Sequence, residues 1–160
     1  MQTFLPYPSF ARSAAVLDRR RLGKQRVEAL QILRALTRTD YGWQHHPAVL
    51  MWRGHEEALV TYGATVCDEW CRRGSPDTCL EQMLREFGID APRSQRELRL
   101  ASALPPWLGR RPVHRSHQSA LVRKQSEWYR PVFPGVPDDL PYVWPVPARN
   151  GRSGPRQRAD

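Results

Sequence analysis

Lys24 and Glu28 stand four residues apart, one turn of a helix, and Arg21 falls on the same flank as Glu28. An amine and a carboxylate in that register suit chemistry at a sugar carbon. An unprotonated amine can attack C1′ of a nucleotide's sugar. A carboxylate beside it stabilises an oxocarbenium-like sugar and handles protons, as in glycoside hydrolysis. Arg20 and Arg21 set like charges next to the amine. The same spacing also describes an ordinary surface ion pair of a helix. Lys24 and Lys124 are the only lysines among 25 Lys+Arg, and guanidinium in either place would never deprotonate to act as a nucleophile.

Two further constellations bear on chemistry. Arg19-Arg20-Arg21 near a helix start, with Lys24 one turn on, is mirrored by Arg110-Arg111, Arg115, Arg123, Lys124 and Arg130. Trp107, Trp128, Tyr129, Tyr142 and Trp144 interleave with the second set. Cations beside ring faces suit a surface that tracks a phosphate backbone and offers stacking or wedging positions. The same aromatics would also complete a small core. Cys67, Cys71 and Cys79, with His45, His46, His55, His114 and His117, supply donors enough for zinc. No Cys-x-x-Cys or His-Glu-x-x-His spacing is present, so no metal site is expected. Cys67, Cys71 and His55 are expected in the core of a long helix.

The elements that must position these residues read as helices. Asp18 caps a helix that runs to Leu36, with Leu22, Ala29, Leu33 and Leu36 in one apolar stripe and Arg20, Lys24, Gln31 and Arg34 opposite. Gln25 and Arg26 fall towards the apolar side, where polar groups need partners or a cavity. Pro47 opens a second helix that runs to Arg73 and stops at Gly74. Its signal is the recurrence of Ala48, Trp52, His55, Leu59, Tyr62, Val66 and Trp70. A shorter helix spans Asp77 to Phe87. Gln95–Ala103 and His114–Lys124 are further helical segments. Met1–Pro8 is extended, Ser9 or Ser13 caps a first turn, and Pro131 to Pro147 forms a proline-rich wrap. No strand is evident. The expected fold is all-α, one helical domain over residues 1–147 followed by a basic disordered tail, 148–160.

Length and charge agree with that reading. At 160 residues there is room for one domain. An apolar fraction of 40% with 26% charged residues suits a packed core. No run of 18 apolar residues exists, so no membrane span is expected. The start, Met1–Arg21, lacks the apolar stretch of a secretion signal. Cys67 and Cys71 lie badly for a mutual disulfide, so a reducing, cytoplasmic setting follows. The net charge of +9 is unevenly placed. Residues 1–38 and 105–160 are each strongly basic and 39–104 is acidic, so the two ends would form one basic face if they meet in the fold. Such a face attracts phosphate through counterion release.

Read in order, the motifs resemble the pyrimidine-dimer DNA glycosylase (endonuclease V-like) superfamily. The carriers are Leu22-Gly23-Lys24-Gln25-Arg26-Val27-Glu28, then His55 through Tyr62 and Glu69 to Arg72, Arg73 and Gly74. His114 through Ser119, Arg123 and Lys124 to Trp128-Tyr129 completes the set. A bacterial branch resembles the chain further in Thr3-Phe4-Leu5-Pro6-Tyr7, in Pro106-Trp107-Leu108-Gly109, and in Asp138-Asp139-Leu140-Pro141-Tyr142-Val143-Trp144-Pro145. The resemblance spans about residues 1–146.

It implies a compact all-α fold with the N-terminus beside the first long helix. It also implies base excision by amine attack on a sugar C1′, a Schiff-base intermediate, and strand nicking by β-elimination. The family's amine is a terminal one exposed by methionine removal. Here Gln2 is large, so Met1 is retained and the terminal nucleophile would be the amine of Met1. An α-amine has an intrinsic pKa of about 7.7–8.0 against about 10.4 for lysine. The family's arginine directly precedes its glutamate, whereas Val27 separates Arg26 from Glu28, a rotation of about 100°.

The expected function is therefore a DNA glycosylase, with AP lyase activity as a further step. Met1 or Lys24 is the nucleophile and Glu28 handles the proton. Arg20, Arg21 and Arg26 clamp phosphates, and His114, Arg115, His117, Arg123 and Lys124 form the opposite wall. The chemistry calls for no cofactor. The expected partner is duplex DNA carrying a damaged or modified base, bound by a monomer. A non-catalytic nucleic-acid binder of the same fold is the alternative, ahead of a zinc hydrolase or a protein-interaction module.

Overall fold

The computed structural model describes residues 1–145. The expected tail at 148–160 lies outside the described residues. The elements are α1 (Phe10–Val16), α2 (Arg19–Thr37), α3 (Pro47–Leu50), α4 (Glu56–Arg72), α5 (Cys79–Phe87), α6 (Gln95–Leu100), α7 (Arg111–Lys124) and α8 (Ser126–Tyr129). Among the described residues there is no strand, and the fold is all-α. Among them, too, no helix is long and apolar enough to cross a membrane.

Helix α2 begins where its sequence dictates: the Asp18 side chain accepts from the Arg21 backbone N–H and caps the first turn. Its apolar stripe, with Leu22, Ala29 and Leu33 fully buried, packs mainly on α4 and α5. Gly23, a weak helix former, lies close against Trp70. A Cβ there would lie 3.1 Å from the Trp70 ring. Ser9 caps α1, accepting from Arg12 N–H.

The expected single helix from Pro47 to Arg73 is broken. The chain leaves helical geometry between Met51 and His55, Gly54 takes a left-handed φ of 80°, and α4 starts afresh at Glu56. The indole of Trp107 donates to the Met51 carbonyl at 2.9 Å, satisfying an oxygen at the break. The apolar spacing runs through the break because Trp52 stays buried while its backbone turns. Cys71 is exposed, contrary to the expected core position, whereas Cys67 is buried. The expected helix from Asp77 starts two residues later, at Cys79 with Thr78 as its N-cap, and the Asp77 carboxylate, one residue before that cap, accepts from Leu80 N–H at 2.9 Å.

The extended N-terminal segment is buried without a sheet. Gln2, Thr3, Phe4 and Leu5 are all buried, so their backbone groups need partners, and side chains supply them. Phe4 N–H donates to Gln25 Oε1 at 2.7 Å, and the Tyr62 hydroxyl oxygen lies 3.0 Å from the Phe4 carbonyl. Leu5 N–H donates to His117 Nδ1 at 2.9 Å. His114 Nδ1 bonds the Leu5 carbonyl at 2.7 Å while its Nε2 accepts from Gly109 N–H. The proline-rich segment after α8 runs along α7. Leu140 N–H and Val143 N–H donate to the hydroxyls of Ser119 and Ser116, at 3.0 and 3.2 Å.

Candidate functional site

These fixings bring the chain's start, α2, the foot of α3 and the end of α7 around one cavity of about 450 Å³, within the range of ligand pockets (about 300–1,000 Å³). Met1, Lys24 and Glu28 line it. Arg20, Arg21 and Lys124 add positive charge to its walls, and His46, Tyr142 and Trp144 add rings. Glu28 is the one carboxylate among the lining residues.

Glu28 is held from two sides. Its Oε1 lies 3.8 Å from Lys24 Nζ, and its Oε2 accepts from Gln25 Nε2 at 3.0 Å. The glutamate side chain is 15% exposed and that of Lys24 is 65% exposed. The carboxylate is therefore sheltered but open to the cavity, while the ammonium reaches solvent. Arg21 is braced by Asp18 and by Gln125, at 2.7 and 2.8 Å. Asp18 is buried, which by itself raises its pKa. Hydrogen bonds from Tyr129 and Arg21 outweigh that and hold the carboxyl below its ordinary value.

Gln25 connects the parts. Its Nε2 donates to the Gln2 carbonyl and to Glu28, and its Oε1 accepts from Phe4 N–H and from the Tyr62 hydroxyl at 2.6 Å. All four capacities of a buried amide are used. One side chain thus ties the N-terminal segment to the carboxylate. The sequence signals it only as a polar residue on the apolar side of α2. Gln25→Leu leaves several buried polar groups unpaired at about 1–3 kcal/mol each. We expect a loss of about 3 kcal/mol or more in unfolding free energy, measured by urea denaturation.

His46, read from the sequence only as a possible zinc donor, lines this cavity. Its Nδ1 accepts from Ala48 N–H at 3.1 Å, which assigns the remaining proton of the neutral ring to Nε2. Its pKa is lowered, first by burial and then by the N-terminal charge, with Glu28 pulling the other way. The imidazole therefore senses both the terminal amine and the carboxylate.

Several expected phosphate-facing residues lie elsewhere. Arg26 points to the far side of α2, where it pairs with Asp77 and sits 4.4 Å from the centre of the Trp70 ring. With its side chain 15% exposed, it is not a phosphate clamp of this cavity. The i,i+3 pair His114 and His117 is buried and spent on the Leu5 backbone, so neither forms a wall. Burial lowers the pKa of both, that of His117 to about 3. Arg115 lines a separate depression with Tyr7, Pro8 and Gly109. Arg123 is turned to the Asp138 carbonyl at 2.7 Å. Lys124 alone of that set reaches the cavity. The cysteine and histidine donors scatter, and among the described residues no three metal-binding side chains gather. Burial and the neighbouring Asp77 raise the pKa of the Cys67 thiol.

The family model for pyrimidine dimer DNA glycosylase matches residues 1–83. That span holds Met1, Lys24, Gln25, Glu28 and His46, and stops within α5. No curated protein and no solved structure matches the chain.

Proposed function

The chain belongs to the pyrimidine dimer DNA glycosylase family, and from that premise we propose that it excises a damaged or modified pyrimidine from duplex DNA at the Met1–Glu28 cavity. The observation that carries the proposal is the joint lining of one cavity by a terminal amine, Lys24 and Glu28 under a cationic rim.

The amine of Met1 is the proposed nucleophile, because an α-amine starts closer to neutrality than a lysine. Its nitrogen forms a bond to C1′ as the bond from C1′ to the base nitrogen breaks. The base leaves with that electron pair and takes up a proton. Glu28 faces the positive charge that develops on the sugar and accepts the proton released by the attacking nitrogen. Ring opening gives the Schiff base. Removal of a proton from C2′ then expels the 3′ phosphate and nicks the strand. Arg20, Arg21 and Lys124 hold the flanking phosphates, a role that gives affinity a steep salt dependence. Lys24 pairs with Glu28 and is the alternative nucleophile.

Borohydride trapping on duplex DNA carrying an abasic site or a pyrimidine dimer tests this. A covalent adduct is expected that persists in Lys24→Ala and disappears when the N-terminus is blocked. The reverse pattern moves the nucleophile to Lys24. No adduct and no base release across a panel of lesions would overturn catalysis and leave a non-catalytic DNA-binding protein.

A further inference from the structure

Trp43 is 65% exposed, the most exposed aromatic residue among the described large hydrophobics. Its backbone φ is +72°, a left-handed value that bulky side chains avoid. The loop around it is not loose. His46 N–H donates to the Trp43 carbonyl at 2.9 Å, and Gln44 Nε2 donates to the carbonyls of Arg38 and Thr39 at 2.7 and 2.9 Å. Arg53 in turn donates to the Gln44 carbonyl at 3.2 Å. A strained backbone is thus held in place to present an indole to solvent, which costs stability and returns little burial within this chain.

The indole packs on the outside of His46, a residue of the cavity wall. Its ring meets that of His46 edge to face, centres 5.8 Å apart, and His46 meets Trp144 in the same way at 6.0 Å. His46 and Trp144 both line the cavity. An aromatic path therefore leads from solvent into the site. Beside it lie Arg20, Lys24 and Lys124. A partner must bring flat apolar faces to Trp43 and negative charge to those cations together. Duplex DNA does both, since parting two stacked base pairs exposes faces that an aromatic ring can cover.

We propose that Trp43 enters the base stack next to the nucleotide being processed and keeps it turned towards Met1 and Glu28. The proposal rests on the base-excision reading for its direction, yet it concerns binding and needs no turnover. Stacking one base on an aromatic ring corresponds to about tenfold or more in affinity.

The test uses a duplex with a tetrahydrofuran abasic analogue, which cannot be excised, and 2-aminopurine in the neighbouring base pair. Wild-type protein should change the 2-aminopurine emission on binding. Trp43→Ala should bind about tenfold more weakly, with the emission change lost, and Trp43→Phe should restore much of both. Trp43→Gly should raise the thermal midpoint by relieving φ while binding as weakly as Trp43→Ala. Equal emission changes in wild type and Trp43→Ala, or none in wild type, would overturn the wedge whatever the excision assays give. A Trp43-dependent emission change without base release on any lesion would instead overturn the catalytic reading alone.

Discussion

Glu28→Gln should lower single-turnover base release by about 10²–10⁴-fold, the range for loss of a positioned acid–base group. The fold should tolerate it. Gln25 Nε2 donates to Glu28 Oε2 at 3.0 Å, and a glutamine oxygen can accept the same bond. The ion pair that is lost, with Lys24 Nζ at 3.8 Å and its side chain 65% exposed, is screened by water and contributes little. DNA affinity should hold or rise, because the substitution removes the one carboxylate among the lining residues of a cationic cavity. Urea denaturation and DNA titration on the same preparation separate these effects. Excision at the wild-type rate in a folded Glu28→Gln variant would remove the carboxylate from the mechanism and with it the assignment of this cavity.

The expected magnitude rests on differential binding. A carboxylate that faced only the substrate would change affinity, whereas one that meets charge appearing on the sugar changes the rate. The second role is the one proposed for Glu28. It is sheltered from solvent, fixed by Gln25, and shares its cavity with the terminal amine. Its bond to Gln25 reaches the N-terminal segment through the Gln2 carbonyl and Phe4 N–H, so the same side chain that orients the carboxylate also holds the segment that carries Met1 into the same cavity.

What the sequence disclosed about this site follows the range of the interactions involved. Lys24 and Glu28 lie within one helical turn, so their proximity follows from period alone. The start of α2 was legible for the same reason, because Asp18 caps its own helix. Arg26 was misplaced because its partner, Asp77, comes from the approach to α5, and no local pattern announces that pairing. The break before α4 was hidden by Trp52, which remains in the core while Gly54 turns the backbone. His114 and His117 share a face of α7 as their spacing requires. What that face meets is the extended N-terminal segment, which carries no periodic signal. His46 was legible only as a possible zinc donor, because its nearness to the terminal amine and Glu28 is a contact across the fold.

That buried histidine pair makes the protein acid-labile well above the range in which carboxylates titrate. His117 has its pKa lowered to about 3, first by burial and then by His114, against about 6.5 in an unfolded chain. Below pH ~6.5 the unfolded chain takes up a proton that the folded one refuses, so stability falls as pH falls, down to about pH 3. The limiting slope is about 1.4 kcal/mol per pH unit, which amounts to about 2 kcal/mol between pH 7 and pH 5. His114, also lowered by burial, acts in the same direction. Asp18 adds a loss only at lower pH, because its depressed pKa keeps its contribution intact until the carboxyl protonates. The structural consequence is local to the site. His117 Nδ1 accepts from Leu5 N–H, and its buried Nε2 finds no partner among the described residues. The second proton must therefore go to Nδ1, where it displaces the Leu5 bond and frees the segment that carries Met1. The unfolding free energy from urea titrations should fall by that amount from pH 7 to pH 5, with the midpoints moving down accordingly, and base release should fall with them. His117→Asn, whose amide oxygen can still accept from Leu5 N–H but does not titrate, should flatten the slope. Equal midpoints at the two pH values, or an unchanged slope in a folded His117→Asn variant, would show that this imidazole is not the group that acid attacks.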